Sequence, residues 1–322
     1  MSVEVDLGAL EALIDPAATL TCLGSGYQFT EGPVWSVAER SLYFSDIPSD
    51  DRWRWSAGGG MELDAHPTFK ANGLALDVRG NLLACEQLTS CVVRLRGDGA
   101  RDLVAFHHRG HYLNSPNDIV VRAADGGIYF TDPDYGRWND WIGQERSREL
   151  GFRGLYRVGD AANGEAELLV DEGEFDQPNG LCFSPDESLL YVNDSDKGHI
   201  KVFDVAADGT LRGGRVFVEG VSAGFSQEDS DAIRRERHQE FHDAGSVDGM
   251  KCDEHGNVWV TGPGGVWVLS PAGERLGRIR APEVVGNLTW GGEDLRTLFL
   301  MTSTTVHSVP TRVAPARLVQ HR

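Results

Sequence analysis

Six residues spread along the chain could do oxygen-ligand chemistry: Glu31, Asn72, Asn117, Asn179, Asp248 and Asn287. Each opens a short apolar segment, and each ends in a carboxylate or carboxamide oxygen. Hard oxygen donors, once convergent, suit a cation such as Ca2+, which accepts them in flexible geometry. Histidine and cysteine are missing from the set, which counts against zinc. Asn and Asp also start strands and cap turns through side-chain to backbone hydrogen bonds. Any one of the six has that structural reading; six together, with a glutamate among them, point to a site.

A repeat would bring residues so far apart in sequence to one place. The segments EGPVWSVAERSLYFSD, NGLALDVRGNLLACE, NDIVVRAADGGIYFTD, NGLCFSPDESLLYVND, DGMKCDEHGNVWVTG and NLTWGGEDLRTLFLMT begin at these six residues and share one plan. A polar residue leads into a short apolar stretch, then a Gly- or Asp-containing turn, then a second apolar stretch. The aligned apolar residues of the second stretch are Leu42, Leu82, Ile128, Leu190, Val258 and Leu298. They lie 11, 10, 11, 11, 10 and 11 residues after the openings. Short β-branched and aromatic runs joined by such turns are hairpins. The openings are 41, 45, 62, 69 and 39 residues apart, and a period of about 40–45 residues is that of a four-stranded propeller blade. GLYRV (154–158), HIKVFDV (199–205) and GVWVLS (265–270) supply outer strands, and ATLTCLG (18–24) can complete the last blade and close the ring. Closure removes exposed edges.

The expected fold is therefore all-β, a six-bladed β-propeller forming a single domain over residues 1–322. Its innermost strands run beside a central channel, so equivalent opening residues form a ring there. Two polar insertions lengthen the repeat, at about 134–152 and 222–245. The latter has a helical pattern, with Ser226 as a candidate N-cap. Each is either a solvated surface loop or a lid or protomer contact. Trp138 and Trp141 make the former the better lid candidate, and the latter is a candidate homo-oligomer contact.

Composition narrows the partners. The net charge of −19 argues against nucleic acid or an anionic membrane, which need a basic surface, and it favours gathering cations. Five scattered cysteines without a C-x-x-C pair give no disulfide framework or zinc knuckle and fit a reducing, cytoplasmic location. Met1 to Pro16 carries no basic n-region of a secretory signal, and no apolar run reaches membrane-spanning length. Other motifs are weak. His238 and His242 sit at i and i+4, but Glu240 falls one place late for H-E-x-x-H. There is no G-x-S-x-G, Walker A loop or G-x-G-x-x-G. Asp46, Glu86, Asp132 and Asp194 recur at the end of the second strand, as turn or inter-blade hydrogen-bonding residues, with Glu86 also a candidate for the substrate pocket.

The segments EGPVW (31–35), LNSPNDIVV (113–121), GIYFTDP (127–133), QPNGLCFSPDESLLYVND (177–194), VDGMKCDEHGNVWV (247–260) and APEVVGNLTWGG (281–292) resemble the SMP-30/gluconolactonase/luciferin-regenerating-enzyme-like family, its bacterial gluconolactonases above all. The resemblance implies a six-bladed propeller and one divalent metal held by Glu31, Asn117, Asn179 and Asp248. Calcium is the common ion, with zinc, magnesium or manganese used by relatives. It further implies that Asn72 and Asn114 line the substrate pocket and that Asp248 is the catalytic base, with Glu31 the other candidate for that role. The chain departs from the family's usual pattern at Val247-Asp248-Gly249, Cys85-Glu86-Gln87 and Pro133-Asp134-Tyr135-Gly136. The expected activity is metal-dependent hydrolysis of a sugar lactone such as gluconolactone, or of a related cyclic ester. The alternatives are an organophosphate or phosphotriester hydrolase, a specialised-pathway enzyme on the same metal site, and a non-catalytic binding scaffold.

Overall fold

A computed structural model of the chain describes residues 8–160, 164–223, 228 and 245–316. Within them, six sheets follow one another in chain order, antiparallel except where Gly164–Glu165 pairs in parallel with Arg101–His108 of the second. Blade 1 consists of Thr30–Ser36, Ser41–Asp46, Asp51–Ser56 and Gly60–Ala65; blade 4 of Pro178–Phe183, Leu189–Asp194, His199–Val205 and Leu211–Val218. The innermost strands of blades 2, 3, 5 and 6 are Ala71–Leu76, Ile119–Val121, Met250–Cys252 and Val285–Gly291. Each innermost strand packs beside the next, and that of blade 6 returns to that of blade 1. The result is a closed six-bladed propeller. Closure is made as expected: Thr21–Ser25 forms the outer strand of blade 6, antiparallel to Thr305–Pro310.

The alternation of side chains along each strand explains the packing. In blade 1, Trp35, Leu42 and Phe44 face blade 6 and meet Phe299 and Met301. Their neighbours Val34 and Tyr43 face blade 2 and meet Leu74 and Val93. Six apolar clusters result, one between each pair of neighbouring blades. Burial on both faces is why the second strands read as nearly continuous apolar runs.

In blades 1, 3 and 4 an aspartate at the end of the second strand ties the blade to the chain entering it. Asp46 accepts the N–H groups of Gln28 and Phe29 at 3.1 and 2.9 Å. Asp132 accepts that of Asn114 at 2.8 Å. Asp194 accepts those of Asp176 and Gln177 at 2.7 and 3.2 Å. Each fixes the chain just before a ring residue.

The start of the first insertion is buried, while residues 144, 145 and 147–149 are exposed. Tyr135, Gly136, Arg137 and Asn139 are buried. Arg137 donates to the carbonyls of Leu113 and Asn114 at 2.7 and 2.6 Å, and Arg146 donates to that of Gln87 at 2.6 Å. The Trp141 ring lies 5.7 Å from Phe29, and Asp134 accepts from Gln177 at 2.5 Å. The segment thus crosses one end of the ring from blade 1 to blade 4. The second insertion, with Ser226, His238 and His242, lies outside the described residues except at its ends and at Glu228. All five cysteines are free, and no helix among the described residues is long and apolar enough to cross a membrane.

Candidate metal centre and active site

Each innermost strand enters through a two-residue bulge, and the bulge builds the ring. In blade 1, Glu31 pairs with Ser45 and Val34 with Tyr43, so the ladder slips between them. In blade 4, Pro178 pairs with Asp194 and Leu181 with Val192, leaving Asn179 and Gly180 opposite Asn193. The first bulge residue presents its carbonyl to the preceding blade. Asn72 O accepts from Ser45 Oγ at 2.8 Å, Asn179 O from Thr131 Oγ1 at 2.7 Å and Asp248 O from Asn193 Nδ2 at 2.5 Å. Asn117 O accepts from the Gly73 N–H at 2.8 Å.

Blade 6 departs from this plan. There Val285 pairs with Thr302 and Asn287 with Met301, and the carbonyl accepting from Thr261 Oγ1, at 3.5 Å, belongs to Gly286. Gly286 is therefore the true ring member, and the expectation that Asn287 occupies an equivalent ring position is corrected. Asn287 sits one residue later, where blades 1, 2, 4 and 5 have Gly32, Gly73, Gly180 and Gly249. Blade 3 has Asp118 at that second position. The glycines are required by contact: a Cβ on Gly32, at φ 56°, would fall 1.9 Å from Asn72 O, and one on Gly180 would fall 2.1 Å from Asp248 O. Gly180→Ala is expected to cost about 1–3 kcal/mol by overpacking, measured by urea unfolding, and to weaken cation binding because Asp248 must move.

The ring side chains are buried: Glu31 is 2% exposed, and Asn72, Asn117 and Asn179 are each 5% exposed. Glu31 Oε2 accepts from the Gly32 N–H at 2.8 Å and from Asn287 Nδ2 at 3.0 Å. Asn179 Nδ2 donates to Ser195 Oγ at 3.1 Å. These bonds leave Glu31 Oε1 and Asn179 Oδ1 buried without a partner, as is Asn72 Oδ1. Space for Glu31 Oε1 comes from Gly286, where a Cβ would lie 2.5 Å from it. Asp248 keeps some exposure as a residue, yet its carboxyl is enclosed by protein. Burial, then Glu31, then Asp118 push it well above the usual carboxylate range, against a hydrogen bond from Asn179. Burial pushes Glu31 up to about 7, opposed by its bonds from Gly32 and Asn287, and Asp118 adds to the rise.

Two carboxyls raised chiefly by burial, beside orphaned amide oxygens, are what a hard cation would relieve. The donor set fits a divalent ion of oxygen-ligand type. Among the described residues, no group of three or more His, Cys, Asp or Glu is arranged to hold a metal, so the set reaches four only through its carboxamides.

Two further groups reach this region. Lys251 Nζ donates to Met250 O at 3.0 Å and to Asn287 Oδ1 at 3.4 Å, and lies 3.9 Å from Asp118 Oδ2. Tyr135, from the first insertion, is 4% exposed. Its hydroxyl is pushed well above its ordinary range by burial, with Ser195 hydrogen-bonding to it and the Asp248 charge nearby. Asn114 and Glu86 are held by other partners. Asn114 is wholly buried, and its amide donates to the carbonyls of Asp132 and Phe152 at 3.2 and 2.9 Å. Glu86 is taken up by Arg101, at 2.5 and 3.0 Å, and by Thr89 Oγ1 at 2.6 Å.

Known proteins share this arrangement of the chain. The sequence profile described as "SMP-30/Gluconolactonase/LRE-like region" matches residues 29–304. A gluconolactonase of Zymomonas mobilis subsp. mobilis is 29% identical over 322 residues, 94% of this chain and 84% of its own. A solved gluconolactonase structure from Xanthomonas campestris superposes with a TM-score of 0.83 at 29% identity, covering 97% of this chain and 95% of its own. A structure described as a calcium-binding protein, regucalcin, from Agrobacterium tumefaciens gives a TM-score of 0.68 at 19% identity, over 94% of this chain and 98% of its own; it shares the fold.

Proposed function

The chain belongs to the SMP-30/gluconolactonase/LRE-like family, and from that premise we propose that it is a metal-dependent lactonase acting on a sugar lactone or a related cyclic ester. The observation that carries the reading is the pair of buried, unpartnered oxygens, Glu31 Oε1 and Asn179 Oδ1, beside a carboxyl of Asp248 that burial and Glu31 hold well above its ordinary range. Glu31, Asn117, Asn179 and Asp248 would hold the ion, with calcium the ion proposed. Bound there, a divalent cation supplies Lewis-acid polarisation of the lactone carbonyl and stabilisation of the developing oxyanion.

The protein's own groups do the rest. Asp248, at the edge of the ring, is the proposed acceptor of the proton of the attacking water. Asn72, with Oδ1 buried and open, accepts a hydrogen bond from a substrate hydroxyl. The segment of Tyr135, Trp138 and Trp141 covers the mouth and limits water entry. Asn114 braces this wall through its bond to Phe152 O, and its buried, open Oδ1 is a second acceptor for a substrate hydroxyl.

The test is hydrolysis of a lactone panel and of paraoxon, followed by a pH indicator before EDTA treatment, after it, and after restoring Ca2+. Expected are lactone turnover, its loss on chelation, and its return with Ca2+. Turnover that survives complete removal of metal would overturn the reading. Preference for paraoxon would replace lactones as the substrate class.

A further inference from the structure

The second bulge position is glycine in four blades, but Asp118 in blade 3 and Asn287 in blade 6. Both exceptions point at one group, Lys251 of blade 5. Its side chain is 14% exposed and Asp118 is 4% exposed in the same pairing. Asp118 Oδ1 accepts from the Ile119 N–H at 2.9 Å, while Oδ2, buried without a hydrogen-bond partner, faces the ammonium at 3.9 Å. Asn287 stands between Lys251 and Glu31. Its Oδ1 accepts from Nζ at 3.4 Å, and its Nδ2 donates to Glu31 Oε2 at 3.0 Å. A chain of contacts thus runs from the lysine to the carboxylate whose other oxygen is open.

Lys251 also ends the polar part of the channel. Beside it lies a cavity of about 50 Å3 lined by Val34, Leu74, Ile119, Cys182, Trp290 and Pro315. Lys251 is the sole charged residue of that lining among the described residues. An ammonium between an apolar cavity and a buried carboxylate is held there by its anionic neighbours, because isolation would be costly.

We propose that Lys251 is the fixed counter-cation of this channel. It is a positioning residue that neutralises Asp118 and, through Asn287, orients Glu31 with Oε1 toward the ring. Glu31, Asp248 and Asp118 bring three negative charges to the wall and Lys251 one positive, leaving the two that a single divalent ion neutralises. The lysine thereby sets which cation charge the ring prefers. This rests on the metal reading given above.

The experiment measures Tb3+ and Ca2+ affinities by titration calorimetry for the full chain and for Lys251→Met, Asp118→Asn and the double variant. The readout is the ratio of the two affinities, with thermal unfolding as a check on folding. Removing the lysine leaves one more negative charge and is expected to raise the Tb3+ preference about tenfold, and Asp118→Asn to lower it about tenfold, on Coulombic grounds. The double variant restores the balance and is expected within about threefold of the parent. A purely packing role cannot give opposite signs. If Lys251→Met fails to fold, Asp118→Asn and the double variant still differ by one charge and must differ about tenfold. Equal ratios across the series, or shifts of one sign in both single variants, would overturn the proposal. A parent chain that binds neither ion would overturn the metal reading itself and this inference with it.

Discussion

Replacing Asp248 with asparagine is expected to reduce kcat for lactone hydrolysis by at least about 10³-fold while weakening cation binding far less. The substitution keeps the size of the side chain and one oxygen that can still ligate. It removes the negative charge and the ability to take a proton. Asp248 is held by its backbone: its carbonyl accepts from Asn193 Nδ2 at 2.5 Å, and its N–H donates to Thr261 Oγ1 at 3.1 Å. The variant side chain should therefore stay in place. Removing one of two mutually repelling carboxylates also relieves strain in the ring, so the protein is expected to be at least as stable as the parent in EDTA. The check is kcat at saturating Ca2+ beside the Ca2+ dissociation constant of each protein. Turnover within about tenfold of the parent would remove Asp248 from the role of base and leave Glu31 to be tested by Glu31→Gln. A loss of activity fully restored by excess Ca2+ would make Asp248 a ligand alone.

The propeller was legible because its signal is redundant. Six hairpins of near-constant spacing are visible without knowing which strand pairs with which, and the closing strand at Thr21–Ser25 follows from the need to cover an edge. The family's motifs, read in the same segments, agree with the profile match over 29–304. The ring was legible to within one residue. Residue type nominated Asn287, and register moved it one place along, because a bulge adds a residue that a spacing count cannot see. Asp118 was missed for a related reason. It follows a more obvious candidate, and only the comparison with Gly32, Gly73, Gly180 and Gly249 marks it as the exception. That comparison can be made in the sequence once the bulge is known. Lys251 carried no pattern at all, since its partners come from blades 3 and 6. The first insertion reads as polar, yet its Arg137 and Arg146 are spent on the carbonyls of Leu113, Asn114 and Gln87. Polarity in sequence did not mean solvation in space.

In EDTA the protein is expected to lose stability as pH rises from about 5 to about 8, the reverse of a protein held by paired carboxylates. Glu31 is lifted by burial from 4.5 to about 7, and Asp248 is lifted further in the same direction. Across this window the folded chain keeps protons that the unfolded chain has released. Stability then falls with pH, because the folded state binds more protons. It is fullest below the unfolded values and is lost as pH passes through the folded ones. At about 1.4 kcal/mol per unit, Glu31 alone contributes on the order of 3 kcal/mol. Asp132, raised by burial to about 7, gives a slope of the same sign. The informative quantity is therefore the difference between the parent and Glu31→Gln, whose neutral amide cannot titrate. That variant is expected to show the shallower slope and, at pH 8 in EDTA, the higher Tm. Saturating Ca2+ should reverse the ranking, because the ion binds the ionised carboxylates and its stabilisation of the parent grows as pH rises. Thermal unfolding of both proteins at four pH values, with EDTA and with Ca2+, measures all of this. Identical slopes for parent and variant in EDTA would mean that Glu31 is not held as a destabilised anion, and the principal physical reason for a cation at this ring would be lost.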